Sequence, residues 1–555
     1  MPMTSFTWFE SLGVVPILTN AGAALAAPVI AWLGSGVAML FKPRELAGAV
    51  RRRPWVPAAA LILIVGGYFL FAWLLAAPPG NRNVHAAAAP PVAGASAAQQ
   101  TDWAKVAIEI LRNERDGVYD TRPPVAAGNG GGPTTAAANG NSGATTAPAR
   151  TTATIFRYDA ARCGHDGGPS PLDLKPRWEA YTADEVILSS PIVHEGRVYA
   201  ASACVEGVIN YGALFCLDAA TGRPVWRMDN VNGELPQPFF SSPAVSADGK
   251  YVVIGQGLHP NKDSELLCVH ADTGTLAWRL KTPLHIESSP AIHGDIVIAG
   301  AGAIEDPKSH KPLGDPGYVF AVQLSTGKQL WRYTLPDPES SPAISADGIV
   351  YIGSGFNGNA VVALRVDGPD DQRLVWKQES PYPVTGPVTL AGDLVLAGAG
   401  NSDFVFASDK PEGIVLALDR KTGAVKWKAN PGDAVLGAIA VRDGRAICPV
   451  RSGEVVALDL ADGKILWRQA VSGKSPIVAS PAVTATHVYA VSKDGYMAVL
   501  DVADGKVIQR LAINDETKPT KNSYGMSSPL VAGGRVFVGT ENAGLRCFVG
   551  GRVAP

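Results

Sequence analysis

VVALDLADGKILW runs from Val455 to Trp467. The same phrase returns as IVLALDRKTGAVKW, ending at Trp427, and as ALFCLDAATGRPVW, ending at Trp226. Apolar residues alternate up to an Asp, a polar turn with Gly follows, and a second short run ends in Trp. Period-two alternation makes a half-buried strand, so the phrase reads as two strands joined by a tight turn. Asp459 can accept backbone N–H bonds of that turn. Gly463 supplies the positive φ of a bulged hairpin, and the same Gly recurs as Gly222, Gly274, Gly327, Gly423 and Gly505. Trp on the second strand puts a large apolar surface at one fixed place in every unit.

The phrase ends at Trp226, Trp278, Trp331, Trp376, Trp427 and Trp467, and Gln509 stands at the next expected place. A second signal, Ser-Ser-Pro before an apolar run, begins at Ser189, Ser241, Ser288, Ser340 and Ser527. Thr385-Gly386-Pro387 and Ala479-Ser480-Pro481 are degenerate forms, and Leu436-Gly437-Ala438 fills one more place, which makes eight. Units of roughly 40–50 residues built of short strands signal a β-propeller with four strands per blade. In one unit SPAVS, YVVIGQG, ELLCVHA and LAWRLKT, between Ser242 and Thr282, are strands A to D. The last unit, from Ser527, has only three. The missing outer strand is LKPRWEAY, with Trp178 in the docking position, so an N-terminal strand closes the ring. The expected fold is an all-β, eight-bladed propeller over residues 156–551.

The rest of the chain has another character. Trp55 to Ala77 is uncharged and long enough to cross a bilayer as a helix. A second span over 22–41 is weakened by Pro28 and many Gly and Ala residues. Lys42, Arg44, Arg51, Arg52 and Arg53 lie in the connecting stretch 42–54. The positive-inside bias puts that loop in the cytoplasm and the propeller outside, in the periplasm of a cell with an inner membrane. Residues 78–155 are low-complexity and read as a linker, with a short amphipathic helix near 101–115.

The Ala-x-Asp-x-x-x-Gly-x-x-x-Trp phrase, complete at Ala417–Trp427 and Ala457–Trp467, resembles the tryptophan-docking motif of the PQQ-like propeller repeat family. FRYDAARCGHDGG at Phe156–Gly168 is similar to a segment that often precedes the first blade there. The resemblance implies two kinds of relative. One is the quinoprotein dehydrogenases, which hold pyrroloquinoline quinone with Ca²⁺ at the tunnel mouth, between a Trp and commonly two adjacent Cys, with an Asp as base. The other is non-catalytic, like the propeller protein of the outer-membrane β-barrel assembly machinery.

Residue counts favour the second kind. The seven propeller Trp, namely Trp178, Trp226, Trp278, Trp331, Trp376, Trp427 and Trp467, all stand at docking positions, and no two Cys are adjacent. The expectation is therefore no catalytic residues, no cofactor and no metal. The role is that of a scaffold for protein partners in the envelope. A quinone-dependent dehydrogenase or a ligand-sensing propeller is the alternative. Charge is balanced, 48 Lys+Arg against 50 Asp+Glu, and no basic stripe speaks for nucleic acid. Cys216, Cys268 and Cys547 fall where other repeats have Ala, and Cys204 with Cys216 is a candidate disulfide. Cys163, His165 and Asp166 read as a loop. His194, His293 and His487 read as exposed A–B turn residues.

In a propeller the A–B and C–D turns share one face and the D–A and B–C loops the other. The first set is tight here. The second is long in the first five blades: CVEGVINYG from Cys204, LHPNKDSE from Leu258, AIEDPKSHKPLGDPG from Ala303 and NSDFVFASDKPEG from Asn401. Binding is expected on that side. Phe239 and Phe240 are the candidate apolar anchors, with plugging of the tunnel as the other reading. His259 and His310 lie in its loops, and His285, Glu287 and Glu339 read as a solvated rim.

Overall fold

A computed structural model describes residues 153–554, apart from 166–167, 182–184, 207–208, 260, 307–310, 474 and 519–524. The expected spans at 22–41 and 55–77, the loop 42–54, the helix near 101–115 and His310 lie outside the described residues. Among the described residues no helix is long and apolar enough to cross a membrane.

Eight four-stranded antiparallel sheets follow one another, each with its strands in chain order except the last. In that sheet the order from outside inward is Ser170–Ala180, Leu545–Ala554, Arg535–Gly539 and Leu530–Ala532, so the expected N-terminal closure is present. Trp178 sits opposite Cys547, as Trp226 sits opposite Cys216 and Trp467 opposite Ala457. A small residue at that place leaves room for the indole on the same face of the sheet. Buried aliphatic residues fill the space between blades; Val198, Phe215 and Leu217 of the first blade meet Leu530 and Phe537 of the last, for example.

The repeated phrase folds as its chemistry requires. Asp459 Oδ1 accepts the Ala461 N–H at 2.8 Å, Gly463 has φ +76°, and the C–D pairing slips between Ala457 and Leu458 as a bulge. The Trp then reaches the next blade. Indole Nε1 donates to a carbonyl of the neighbouring C–D turn in seven places: Trp178 to Ala219, Trp226 to Ala271, Trp278 to Leu324, Trp331 to Val366, Trp376 to Arg420, Trp427 to Leu460 and Trp467 to Val502, at 2.6–3.2 Å. In six of these the ring lies over the turn Gly, so closely that a Cβ on Gly463 would stand 2.5 Å from Trp427 Cε3. The fourth blade has no such Gly. A 3-10 turn at Asp370–Gln372 replaces it, and the Arg373 guanidinium stacks on Trp331 at 4.3 Å.

Three expectations need correction here. CVEGVINYG is not an irregular loop: Arg197–Glu206 and Ile209–Asp218 pair along their whole length, because alternating residues extend both strands. Cys204 pairs with Tyr211 and Cys216 with Tyr199, so the two thiols sit at different levels of the hairpin and form no disulfide. His194 and His487 are buried at the A–B ends instead of exposed, and His487 Nδ1 lies 2.8 Å from the Thr486 hydroxyl.

Candidate functional site

Each inner strand is two or three residues long and is led in by the Ser-Ser-Pro segment. These segments line the central channel and join the blades to one another. The N–H of Ser190 donates to Ser242 Oγ, Ser242 to Ser289, Ser289 to Ser341, Ala438 to Ser480, Ser480 to Ser528 and Ser528 back to Ser190, at 2.8–3.0 Å. The first Ser of the motif works in parallel: Ser288 Oγ donates to the Ser340 carbonyl, and Ser340 Oγ to that of Gly386. The fifth-blade motif is therefore Gly386-Pro387-Val388, one residue later than matching Pro387 to the Pro of Ser-Ser-Pro suggested. Pro387 has neither hydroxyl nor N–H, and the belt is interrupted there.

One end of the channel is sealed. Residues 153–165 cross the inner edges of the blades and bond to all eight. Ala153 pairs with Val193, and the carbonyls of Thr154, Ala160, Ala161, Cys163 and Gly164 accept from Val245, Ile344, Leu390, Val441 and Val483. The Tyr158 hydroxyl accepts from Val531. Arg162 is fully buried and donates to the carbonyls of Pro342, Phe156, Ser289 and Pro290. Cys163 donates its thiol to Asp159 Oδ2 at 3.0 Å.

The D–A/B–C end is open. Above Phe156 a cavity of about 60 Å³ is lined by Phe240, Glu287, Glu339, Phe404 and Met526 together with the Ser belt. Phe240 and Phe404 meet edge to face there, with centroids 6.0 Å apart. Phe239 is not an exposed anchor: it is fully buried in the core between the first two blades, because strand alternation turns it the other way. Among the described residues the cavity has no Trp and no Cys on its wall, and all seven propeller Trp are held at blade junctions. The residues at the mouth therefore do not fit a quinone sandwiched as the resemblance implies.

The predicted rim is a compact cluster instead. Glu339 Oε1 lies 2.8 Å from His259 Nδ1 and 2.7 Å from His285 Nε2. Only 11% of the Glu339 side chain and none of the His285 side chain is exposed, so solvation does not describe them. One donor atom each from His259, His285, Glu287 and Glu339 falls within 4.8 Å of the others. Glu305 and Asp337, both buried, stand beside them; His259 Nε2 is 4.0 Å from Glu305 Oε2. Burial, then the Glu339 charge, pushes Glu287 up to about 7. Burial, then Glu339 and Glu305, also raises Asp337 well above the carboxylate range. Burial disfavours the His259 imidazolium, but Glu339, with Glu287 and Asp337 behind it, outweighs that and holds it up to about 10. Burial works against the Glu339 carboxylate too, and the two imidazoles overcome it and keep it below the usual range.

The sequence singled out His259, His285, Glu287 and Glu339 separately, without the contact that makes them one group. Asp337 was missed, although it stands two residues before Glu339. So were the exposed apolar residues of this face. Leu235, Leu313, Val405 and Phe406 are 65, 59, 41 and 49% exposed. They lie in D–A or B–C loops, and the other large apolar side chains exposed among the described residues are on strands.

A family model described as outer membrane protein assembly factor BamB matches residues 173–429 and 411–554. The dehydrogenase subunit of alcohol dehydrogenase (quinone) from Gluconobacter oxydans is 28% identical over 264 residues, 43% of this chain and 31% of that protein. Outer membrane protein assembly factor BamB of Yersinia pestis is 24% identical over 271 residues, 46% of this chain and 62% of that one. The chain thus spans less than two thirds of either relative. Among solved structures, quinohemoprotein alcohol dehydrogenase from Comamonas testosteroni superposes with a TM-score of 0.54 at 16% identity, over 74% of this chain and 82% of that one.

Proposed function

Because the chain belongs to the PQQ-like repeat family of outer membrane protein assembly factor BamB, we propose that it is a non-catalytic scaffold that binds protein partners through the D–A/B–C face. One observation carries the reading. Large apolar side chains stand exposed in loops of this face, at Leu235, Leu313, Val405 and Phe406, while residues 153–165 seal the opposite end of the channel. Exposed apolar and aromatic groups on loops held by a rigid ring are what a protein interface is built from. The basic stretch 42–54 beside the apolar run 55–77 supports a tether that keeps the propeller on the periplasmic side of the inner membrane.

Photo-crosslinking residues placed in living cells at Leu235, Leu313 and Phe406 test this. Discrete crosslinked protein bands are expected from these positions and none from Lys464 or Asp504 on the other face. The reverse pattern sinks the proposal. A reporter fused after Gly80 tests the compartment: it should be active outside the cytoplasm, and cytoplasmic activity overturns that part.

The likeness to alcohol dehydrogenase (quinone) favours a second reading, an oxidoreductase dependent on pyrroloquinoline quinone. Its test is direct. Stoichiometric binding of the quinone in the presence of Ca²⁺, with alcohol-dependent dye reduction, would replace the scaffold reading.

A further inference from the structure

We propose that His259, His285, Glu287 and Glu339 form a binding site for one first-row transition-metal dication, of which Zn²⁺ is the type. The four residues come from three loops of the open face. His259 follows strand B of the second blade, His285 and Glu287 join the second blade to the third, and Glu339 joins the third to the fourth. Rigid blades therefore converge their donors: two imidazole nitrogens and two carboxylate oxygens lie within 4.8 Å of one another. Donor atoms of a tetrahedral zinc site stand about 3.4 Å apart, at bonds of about 2.0–2.1 Å. Loop side chains need shift only by rotamer adjustments to close on an ion.

The charge at the cluster suits a cation. Glu287, Asp337 and Glu339 set three carboxyl groups against two imidazoles in a largely buried space. Among the described residues no Lys or Arg forms an ion pair with Glu287, Asp337 or Glu339. A buried excess of acid is costly unless it is protonated or metal-bound. Imidazole donors set the class of ion, since Ca²⁺ and Mg²⁺ prefer oxygen alone and mixed imidazole–carboxylate sets suit Zn²⁺ and its neighbours.

Gly302 leaves room for the cluster. A Cβ there would stand 2.5 Å from His285 Nε2 and 2.8 Å from Glu339 Oε1. Its φ is not in the left-handed region, so what a side chain would meet there is the donor atoms themselves. Access is provided as well, because Glu287 and Glu339 line the open mouth of the channel.

The test uses the full chain in detergent, stripped with chelator and titrated with Zn²⁺ against a chromophoric competitor. One Zn²⁺ per chain is expected, undisturbed by millimolar Mg²⁺ or Ca²⁺. His285→Ala and Glu339→Gln should each weaken binding at least ~100-fold, beyond the 10–100-fold of an outer-shell loss. Gly302→Ala should weaken it less. X-ray absorption at the zinc edge of the loaded wild type needs no variant and should show two imidazoles. No stoichiometric binding, binding unchanged in properly folded variants, or a zinc spectrum with fewer than two imidazoles overturns the proposal and leaves the cluster as a hydrogen-bonded network of acids and histidines.

Discussion

Gln509 holds Leu174 by both backbone groups: its Oε1 accepts the Leu174 N–H at 2.8 Å and its Nε2 donates to the Leu174 carbonyl at 3.1 Å. This is the one blade junction without a Trp. The reason is topological. A docking Trp needs the C–D turn of the next blade and a carbonyl there to accept from its indole. The eighth blade has no C–D turn, because its outer strand Ser170–Ala180 comes from the other end of the propeller. An amide that reads a strand backbone takes the place of an indole that covers a turn.

Gln509→Ala should then lower stability by about 1–3 kcal/mol, the cost of two partly buried backbone groups losing their partner. Gln509→Trp should not restore it, since no turn lies opposite. Thermal unfolding of the full chain checks both. A stabilised Trp variant would show that the junction is set by apolar area alone.

Gly463 and Gly392 separate two effects. Both have positive φ, +76° and +60°. A Cβ on Gly463 meets the Trp427 ring, and one on Gly392 meets nothing within 4 Å. Gly392→Ala should cost about 1 kcal/mol of backbone strain. Gly463→Ala should cost about 2–3 kcal/mol more, because the indole must leave its seat. Urea midpoints of the two variants decide whether docking adds to turn strain.

Arg162 makes its bonds to four backbone carbonyls at the sealed end. Neither Lys nor Met can reach them all. Arg162→Lys and Arg162→Met should each lose about 3–5 kcal/mol and open residues 153–165 to protease. Unchanged protection of that stretch would mean that the backbone pairing alone closes the channel.

The six cysteines are all buried and none is in a disulfide. Burial pushes the thiols of Cys216, Cys268 and Cys547 up to about 12. Thiolate is the reactive form, so at pH 8 native protein should react very slowly with a thiol reagent. All six should react at once in guanidinium. Only four reacting there, without reductant, would restore the Cys204–Cys216 disulfide.

Most of the ring was legible because each unit repeats the same local chemistry. Asp, Gly and Trp at fixed offsets specify turn, bulge and docking within a dozen residues, and the count of units follows. The Gly386-Pro387-Val388 motif shows where this stops. With no Ser to mark it, matching Pro387 to the Pro of Ser-Ser-Pro placed it one residue early, and the hydrogen bond from Ser340 was needed to set the register. The His–Glu cluster lay further out of reach. Its members come from three loops between Leu258 and Glu339, and nothing local says that they converge. Phe239 failed for a related reason, while Phe240 does reach the channel. An aromatic pair at a strand edge has one ring for each side, and only the tertiary packing shows that one side is core.

The closing strand is made first and paired last. About 370 residues separate Ala180 from its final partner strand. At ~5–20 residues per second, synthesis leaves Ser170–Ala180 without its neighbour for roughly 20–75 s. An unpaired edge in that interval is a template for aggregation. The strand carries its own safeguard: Pro171 and Pro176 remove two donors, and Asp173, Lys175, Arg177 and Glu179 put charge along it. Two of these charges stay close to opposite partners once the ring shuts, Asp173 3.3 Å from Arg552 and Glu179 3.6 Å from Arg546. The same prolines and charges that guard the outer edge of the finished sheet are in place throughout the wait before closure.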